Sequence, residues 1–375
     1  MNLGDTTFQI KKTSHNRSLS VSKTVGWLTQ LWATPILWLR PLLLVFLIGS
    51  ILTSLFIGVY EISVLQILEI LGTAMGLADT QLDYATQYLL LHIRLPRICL
   101  GLIVGAGLSV SGAAIQGLFR NPLADPSLIG ITSGGMLFAV GSIFFANSLL
   151  SKLNHFLGHT TIAIAAFIGS FLATILIYRL SSYKGRTSVT TMLLAGIATT
   201  AFCGALTGLM TYLSTDDQLR DITFWSLGSL SGVTWSMILV VALPVFFSIF
   251  FLIKLAKPLD LMMLGEREAA FLGISVQKVK SRIILLTAIG VGICVSVCGV
   301  ISFVALVVPH MLRLLSGPNH KTLLINAALL GASLLTIADL IARTIIAPAE
   351  LPIGILTAIL GAPFFIGILL KSRGQ

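Results

Sequence analysis

Apolar runs of about twenty residues recur from residue 41 almost to the end of this 375-residue chain. Each is long enough to cross the hydrocarbon core of a bilayer as a helix. Backbone groups in lipid must be satisfied within the segment, so the runs predict an all-α integral membrane protein. Barrel strands would show short alternating segments instead. Charged residues make up only 10% of the chain, against about 25% in soluble domains, which excludes an ordinary soluble fold. The runs predict about ten transmembrane helices, at 41–60, 93–117, 126–146, 161–180, 191–213, 235–254, 281–299, 302–316, 322–343 and 352–370.

The net charge of +10 raises two readings, nucleic-acid binding and membrane topology, and its distribution decides between them. With ten spans both termini fall on one side. All Lys and Arg then lie on that side except Arg94, Arg97, Lys152, Arg220 and Arg343. Acidic residues go the other way, including Glu61, Asp79, Asp83, Asp216, Asp217, Asp221 and Glu350. Basic residues accumulate on the cytoplasmic side of membrane proteins, so both termini are expected in the cytoplasm and no nucleic-acid partner is expected. Residues 1–40 read as a basic cytoplasmic tail and a short interfacial helix carrying Trp27, Trp32 and Trp38, indoles suited to the headgroup level. Residues 41–375 read as one transmembrane domain.

The segment Arg94–Gly130 is the richest in signals. RLPR places two arginines at the mouth of an apolar helix, and that helix is crowded with small residues from Gly101 to Ala114. Gly101 and Gly105 form a GxxxG, which lets helix backbones approach closely. Asp125 and Pro126 read as N-cap and first residue of the next span. In the longest cytoplasmic loop, Gly265-Glu266-Arg267-Glu268-Ala269-Ala270-Phe271-Leu272-Gly273 predicts about two turns of helix. Its acids complement the dipole, and Gly273 suits a left-handed cap. Its apolar residues have no membrane to enter, so it either folds back on the bundle or docks a partner. Asp339 and Arg343, spaced i,i+4, either pair with each other or leave Arg343 free to join Arg94 and Arg97 as outward-facing cations.

Other candidates reduce to packing. Cys99, Cys203, Cys294 and Cys298 lie within apolar spans and suit small core residues. His310, beside Pro309, is an intramembrane histidine and a functional candidate by position. His92, His155 and His159 show no metal-ligand spacing. The chain has no G-x-x-x-x-G-K-[ST] loop, so it is not expected to hold ATP phosphates itself. Intramembrane acids are scarce. That weakens the competing reading of an ion-coupled secondary carrier, which relies on such groups at mid-depth.

Several long strings, in one order, resemble the permease subunit of the bacterial ABC importers for iron-siderophores, haem and cobalamin, the type II importers. They are RLPR (94–97), SGAAIQGLFRNPLADP (111–126), LLAGIA (193–198), LGEREAAFLGI (264–274), ISFVALVVPHMLR (301–313) and ADLIARTIIAPAELPIGILTAILGAP (338–363). The resemblance implies a ten-helix permease bundle in the bacterial inner membrane, paired with a second copy. It also implies two cytoplasmic ATPases, which carry ATP and Mg, and a periplasmic binding protein. No cofactor is expected on this chain, which is a translocation subunit and not an enzyme.

By the same resemblance, Arg94, Arg97 and Arg343 receive acidic residues of the binding protein. Charge reversal at Arg94 and Arg97 is then expected to weaken docking with little loss of folding. Gly265–Gly273 is the helix that seats in the ATPase, and Ser188, Val189, Thr190 and Thr191 correspond to the inner gate. The strings at Asp217–Arg220, Ile222–Leu230 and Ile346–Pro352 look most like haem permeases. The expected cargo is therefore haem, or a similar large iron ligand, moved by alternating access, with ferric-siderophore or cobalamin import as alternatives.

Overall fold

A computed structural model describes residues 38–58, 60, 62–76, 82–146, 148–152, 156, 158 and 160–372. The basic tail with Trp27 and Trp32, and also His155 and His159, lie outside the described residues. The described residues are mostly helical. Its elements are α1 (Trp38–Phe56), α2 (Val64–Ala74), α3 (Tyr84–Phe119), α4 (Ile131–Phe144), α5 (Thr160–Leu180) and α6 (Val189–Tyr212). They continue with α7 (Asp216–Leu227), α8 (Trp235–Lys254), α9 (Ala256–Met263), α10 (Glu266–Phe271), α11 (Val276–Cys298), α12 (Val304–Ser316), α13 (His320–Thr344) and α14 (Ile353–Ser372). A two-stranded hairpin, β1 (Ser182–Tyr183) and β2 (Arg186–Thr187), precedes α6.

Among the described residues, seven helices are long and apolar enough to cross a membrane: α1, α3, α5, α6, α8, α11 and α13. The spans expected at 126–146, 302–316 and 352–370 correspond to the shorter apolar helices α4, α12 and the Ile353–Gly367 part of α14. The sequence reading started the third span at Pro126. Instead Asp125 caps a single 3-10 turn, Pro126–Ile129, and Gly130 in the left-handed region breaks the chain before α4 begins. Asp125 Oδ1 still accepts the Ser127 N–H at 2.8 Å, so the cap is real but serves a different helix.

The small residues of α3 explain its place at the centre of the bundle. It is mostly buried and packs on α8, α11, α12 and α13. The expected GxxxG faces α13: Gly101 lies beside Thr336, and a Cβ on Gly105 would overlap the Gly331 backbone. Further along, Pro309 in α12 has no N–H to offer the Ala305 carbonyl. That carbonyl lies against Gly112, where any Cβ would collide with it. The outer helices α1, α6 and α8 bury little of their surface within the chain and leave large apolar side chains such as Leu42, Leu243 and Phe246 outside.

At its start α3 contains a π turn, Leu89–Arg94, in which the Leu95 N–H reaches back to the Leu90 carbonyl. Pro96 is the physical cause: it cannot donate, and its ring would crowd the carbonyl four residues back, so the helix widens there. The chain enters and leaves the bundle core in opposite directions along α3 and α13. Arg97 near the start of α3 meets Asp339 near the end of α13, while Gly117 near the end of α3 meets His320 at the start of α13. The two ends of the bundle are therefore separated by about 30 Å of helix.

Candidate functional site

One end of the bundle gathers the expected docking arginines. Arg97 is 9% exposed in its side chain and forks onto Asp339, with Nη2 at 2.9 Å and Nε at 3.0 Å from its oxygens. Its Nη1 donates to Glu350 Oε1 at 2.7 Å. Arg343 lies 4.0 Å from the other Asp339 oxygen and donates to the Ser54 backbone oxygen and hydroxyl on α1. Arg94 donates to the carbonyls of Leu55, at 2.8 Å, and Tyr60. Thus α1, α3, α13 and the segment before α14 are tied together by three guanidinium groups.

This corrects the picture of outward-facing cations. Arg94, Arg97 and Arg343 are all buried, and each is engaged inside the chain. The i,i+4 pairing of Asp339 with Arg343 exists but is the longer contact, because Arg97, reaching across from α3, takes the bidentate position. The physical reason is the cost of an unpaired buried charge: a carboxylate with a 4% exposed side chain must be satisfied. Reversing Arg97 would strand Asp339 and Glu350 together, so a loss of folding is expected beside any loss of docking. Glu350, with a 45% exposed side chain, is the one acid of the cluster that faces outward.

The opposite end carries the expected partner helix. Gly265, at φ 138, turns the chain from α9 into α10, which runs Glu266–Phe271. Gly273, at φ 85, ends the turn in the left-handed region as its position suggested. Ala269 is fully buried and seats the helix on the bundle, while Arg267, Glu268 and Ala270 are exposed. Phe271 is 91% exposed and Leu272 is exposed beside it. With Leu264 and Met263, also exposed, they form an apolar knob at the end of α9 and α10.

The expected gate residues open α6. Ser188 is its N-cap, with Oγ accepting the Thr191 N–H at 3.3 Å. Ser188, Thr190 and Thr191 are exposed and Val189 is half-buried. The hairpin before them turns on Lys184 (φ 47) and Gly185 (φ 74), both left-handed, which matches the twist of a tight hairpin. The sequence reading missed this hairpin. The Lys-Gly pair was its only local signal.

Two further groups at this end were not anticipated. Lys280 on α11 is 1% exposed in its side chain and pairs with Glu266 at 2.7 Å. His320, fully buried, sits with Nδ1 2.6 Å from Asp260 Oδ1 on α9. Burial holds the Asp125 carboxyl above its ordinary range, opposed by hydrogen bonds from Ser127. His310 has both ring nitrogens buried with no partner among the described residues. Cys203, Cys294 and Cys298 are buried and Cys99 partly so. Among the described residues no group of His, Cys, Asp and Glu has a metal-holding arrangement.

A helical bundle of this kind, with the Arg97–Asp339–Glu350 cluster at one end and an exposed apolar knob at the other, defines a multi-pass membrane protein. The chain belongs to the FecCD transport family, whose sequence profile matches residues 43–371. It is 45% identical over 301 residues to the hemin transport system permease protein HmuU of Yersinia pestis, covering 79% of this chain and 87% of that one. It is 36% identical over 324 residues to the iron(3+)-hydroxamate import system permease protein FhuG of Bacillus subtilis, covering 85% and 93%. It superposes with a TM-score of 0.76, at 33% identity, on a metal-chelate type ABC transporter solved in an inward-facing conformation, covering 88% and 97%. The chain is accordingly a transport permease, as its sequence strings indicated.

Proposed function

We propose that this chain is the translocation subunit of an ATP-driven importer that carries haem across the bacterial inner membrane into the cytoplasm. It works as a homodimer with two cytoplasmic ATPases and a periplasmic binding protein. ATP and Mg reside on the ATPases, and this chain holds no cofactor. The observation that carries the reading is the α9–α10 knob. A phenylalanine left 91% exposed on a six-residue helix, at the end of the bundle opposite the buried arginines, has the form of an anchor for a pocket on another protein. The excess of Lys and Arg assigned to that side supports placing it, and both termini, in the cytoplasm.

Gly265–Gly273 is the ATPase seat in this reading, and Ser188–Thr191 the inner gate, supported by their exposure at the start of α6. The docking role of Arg94, Arg97 and Arg343 takes a different form from free forks. Buried as they are, they fix the helix ends that shape the docking face, from which Glu350 projects. Haem is favoured over a ferric siderophore by the 45% identity to a hemin permease against 36% to a hydroxamate permease. Import requires that the outward- and inward-facing states differ in affinity for the cargo.

Co-purification with the cognate ATPase tests the seat. Phe271→Asp is expected to abolish capture of the ATPase while leaving the permease monodisperse. Undiminished capture would refute the assignment of α10.

A further inference from the structure

Thr187 is the last residue of the hairpin, and the next residue caps α6. Both of its peptide groups are held by α11. Its N–H donates to Gln277 Oε1 at 2.9 Å. Its carbonyl accepts from Lys280 Nζ at 2.8 Å. The same ammonium donates to Glu266 Oε2 at 2.8 Å and lies 2.7 Å from Oε1, in the first turn of α10. Lys280 thus joins three elements at one atom: the helix assigned to the ATPase, the long core helix α11, and the strand that leads into α6.

Within the hairpin Thr187 pairs with Ser182, by strand register and by a hydroxyl–hydroxyl contact of 2.9 Å, and these local ties are weak. A two-stranded hairpin with two residues per strand is marginal by itself, and Tyr183, Lys184, Gly185 and Arg186 are exposed. A lysine ammonium at 1% exposure is costly unless engaged, and here it makes two hydrogen bonds and pairs with a carboxylate, its three oxygen neighbours all within 2.8 Å. The burial has a sequence logic: Lys280 lies four residues from Val276 and Ile284, on the apolar face of α11. A displacement of α10 therefore moves Glu266 against a partner that cannot turn to solvent, and that partner grips the backbone one residue before the cap of α6.

We propose that Lys280 and Gln277 are positioning residues that transmit movement of α10 to the start of α6, so that the event on the ATPase side and the opening of the gate are one motion. The proposal rests on the reading of α10 as the ATPase seat and of Ser188–Thr191 as the gate.

Its test is the amount of hemin moved per ATP hydrolysed in proteoliposomes holding the assembled transporter and supplied with hemin-loaded binding protein. This ratio does not depend on how much complex folds. Lys280→Met and Gln277→Ala are expected to hydrolyse ATP within about twofold of the parent yet move about tenfold and about threefold less hemin per ATP, within the usual range of site-to-site coupling. Gln277 is half-buried and uncharged, so its variant decides the matter alone if Lys280→Met does not assemble. Phe271→Asp runs alongside. If it loses the ATPase while both tie variants keep the full ratio, the seat stands and the tie is refuted. If Phe271→Asp still assembles and hydrolyses ATP normally, the seat falls and the tie with it.

Discussion

Replacing Asp339 by alanine removes the carboxylate that Arg97 grips bidentately and the anion paired with Arg343 among the described residues. Arg97 would keep Glu350, at 2.7 Å, but that carboxylate is 45% exposed and solvent-screened. Arg343 would keep only the neutral oxygens of Ser54. Two guanidinium groups with side chains 9% exposed would then share one partly solvated anion. Breaking one partner of a buried ion pair costs about 3–5 kcal/mol, and the second arginine pushes Asp339→Ala toward the upper end.

Removing both charges is different, because no ion is left desolvated and unpaired. The double variant Arg97→Met with Asp339→Leu is expected to recover at least about half of the loss. Equilibrium unfolding in mixed micelles, followed by tryptophan fluorescence, measures both. A single variant within about 1 kcal/mol of the parent would refute the claim that this cluster is a desolvated brace. A double variant no better than the single would place the loss in packing rather than in charge.

Further outcomes use the same unfolding measurement. Gly112→Ala sets a methyl against the Ala305 carbonyl and is expected to cost about 1–3 kcal/mol; a neutral result would mean that α3 and α12 are not in backbone contact. Asp125→Ala, which loses the cap on Ser127, is expected to cost about 1 kcal/mol. Asp125→Asn keeps an acceptor and drops a charge that burial disfavours, so it is expected to fall within about 0.5 kcal/mol of the parent, and equal losses for the two would contradict the capping role. Glu350→Ala is expected to cost less than about 1 kcal/mol, because this member of the cluster is half in solvent.

What could be read from the sequence follows the length of the signal. Runs of twenty apolar residues announce long helices whatever surrounds them, and α1, α3, α5, α6, α8, α11 and α13 fall where the runs do. Shorter elements were lost inside the pattern. The helix α2 was overlooked although Ser63 and Gln66 form a capping box before an apolar stripe, and α7 carries the same device at Thr215 and Gln218. The helix α10 was legible because its acids, alanines and flanking glycines all act within nine residues, whereas the exposure of Phe271 was not.

The arginines were legible as a group but not as buried. Arg97 and Asp339 are 242 residues apart, and only the antiparallel packing of α3 on α13 decides that a cation at a helix mouth turns inward. Lys280 was counted with the cytoplasmic charges, since charge tallies ignore helix phase. Its spacing from Val276 and Ile284 held the information.

ATP-dependent hemin uptake tests the account most directly. The permease is reconstituted in proteoliposomes with its ATPase, and binding protein is supplied loaded with hemin, a ferric siderophore or cobalamin. The account predicts hemin accumulation that requires ATP and binding protein together and survives collapse of the ion gradients. Uptake by the permease alone, driven by an ion gradient, would contradict it, as would a fully assembled complex that hydrolyses ATP and moves none of the three.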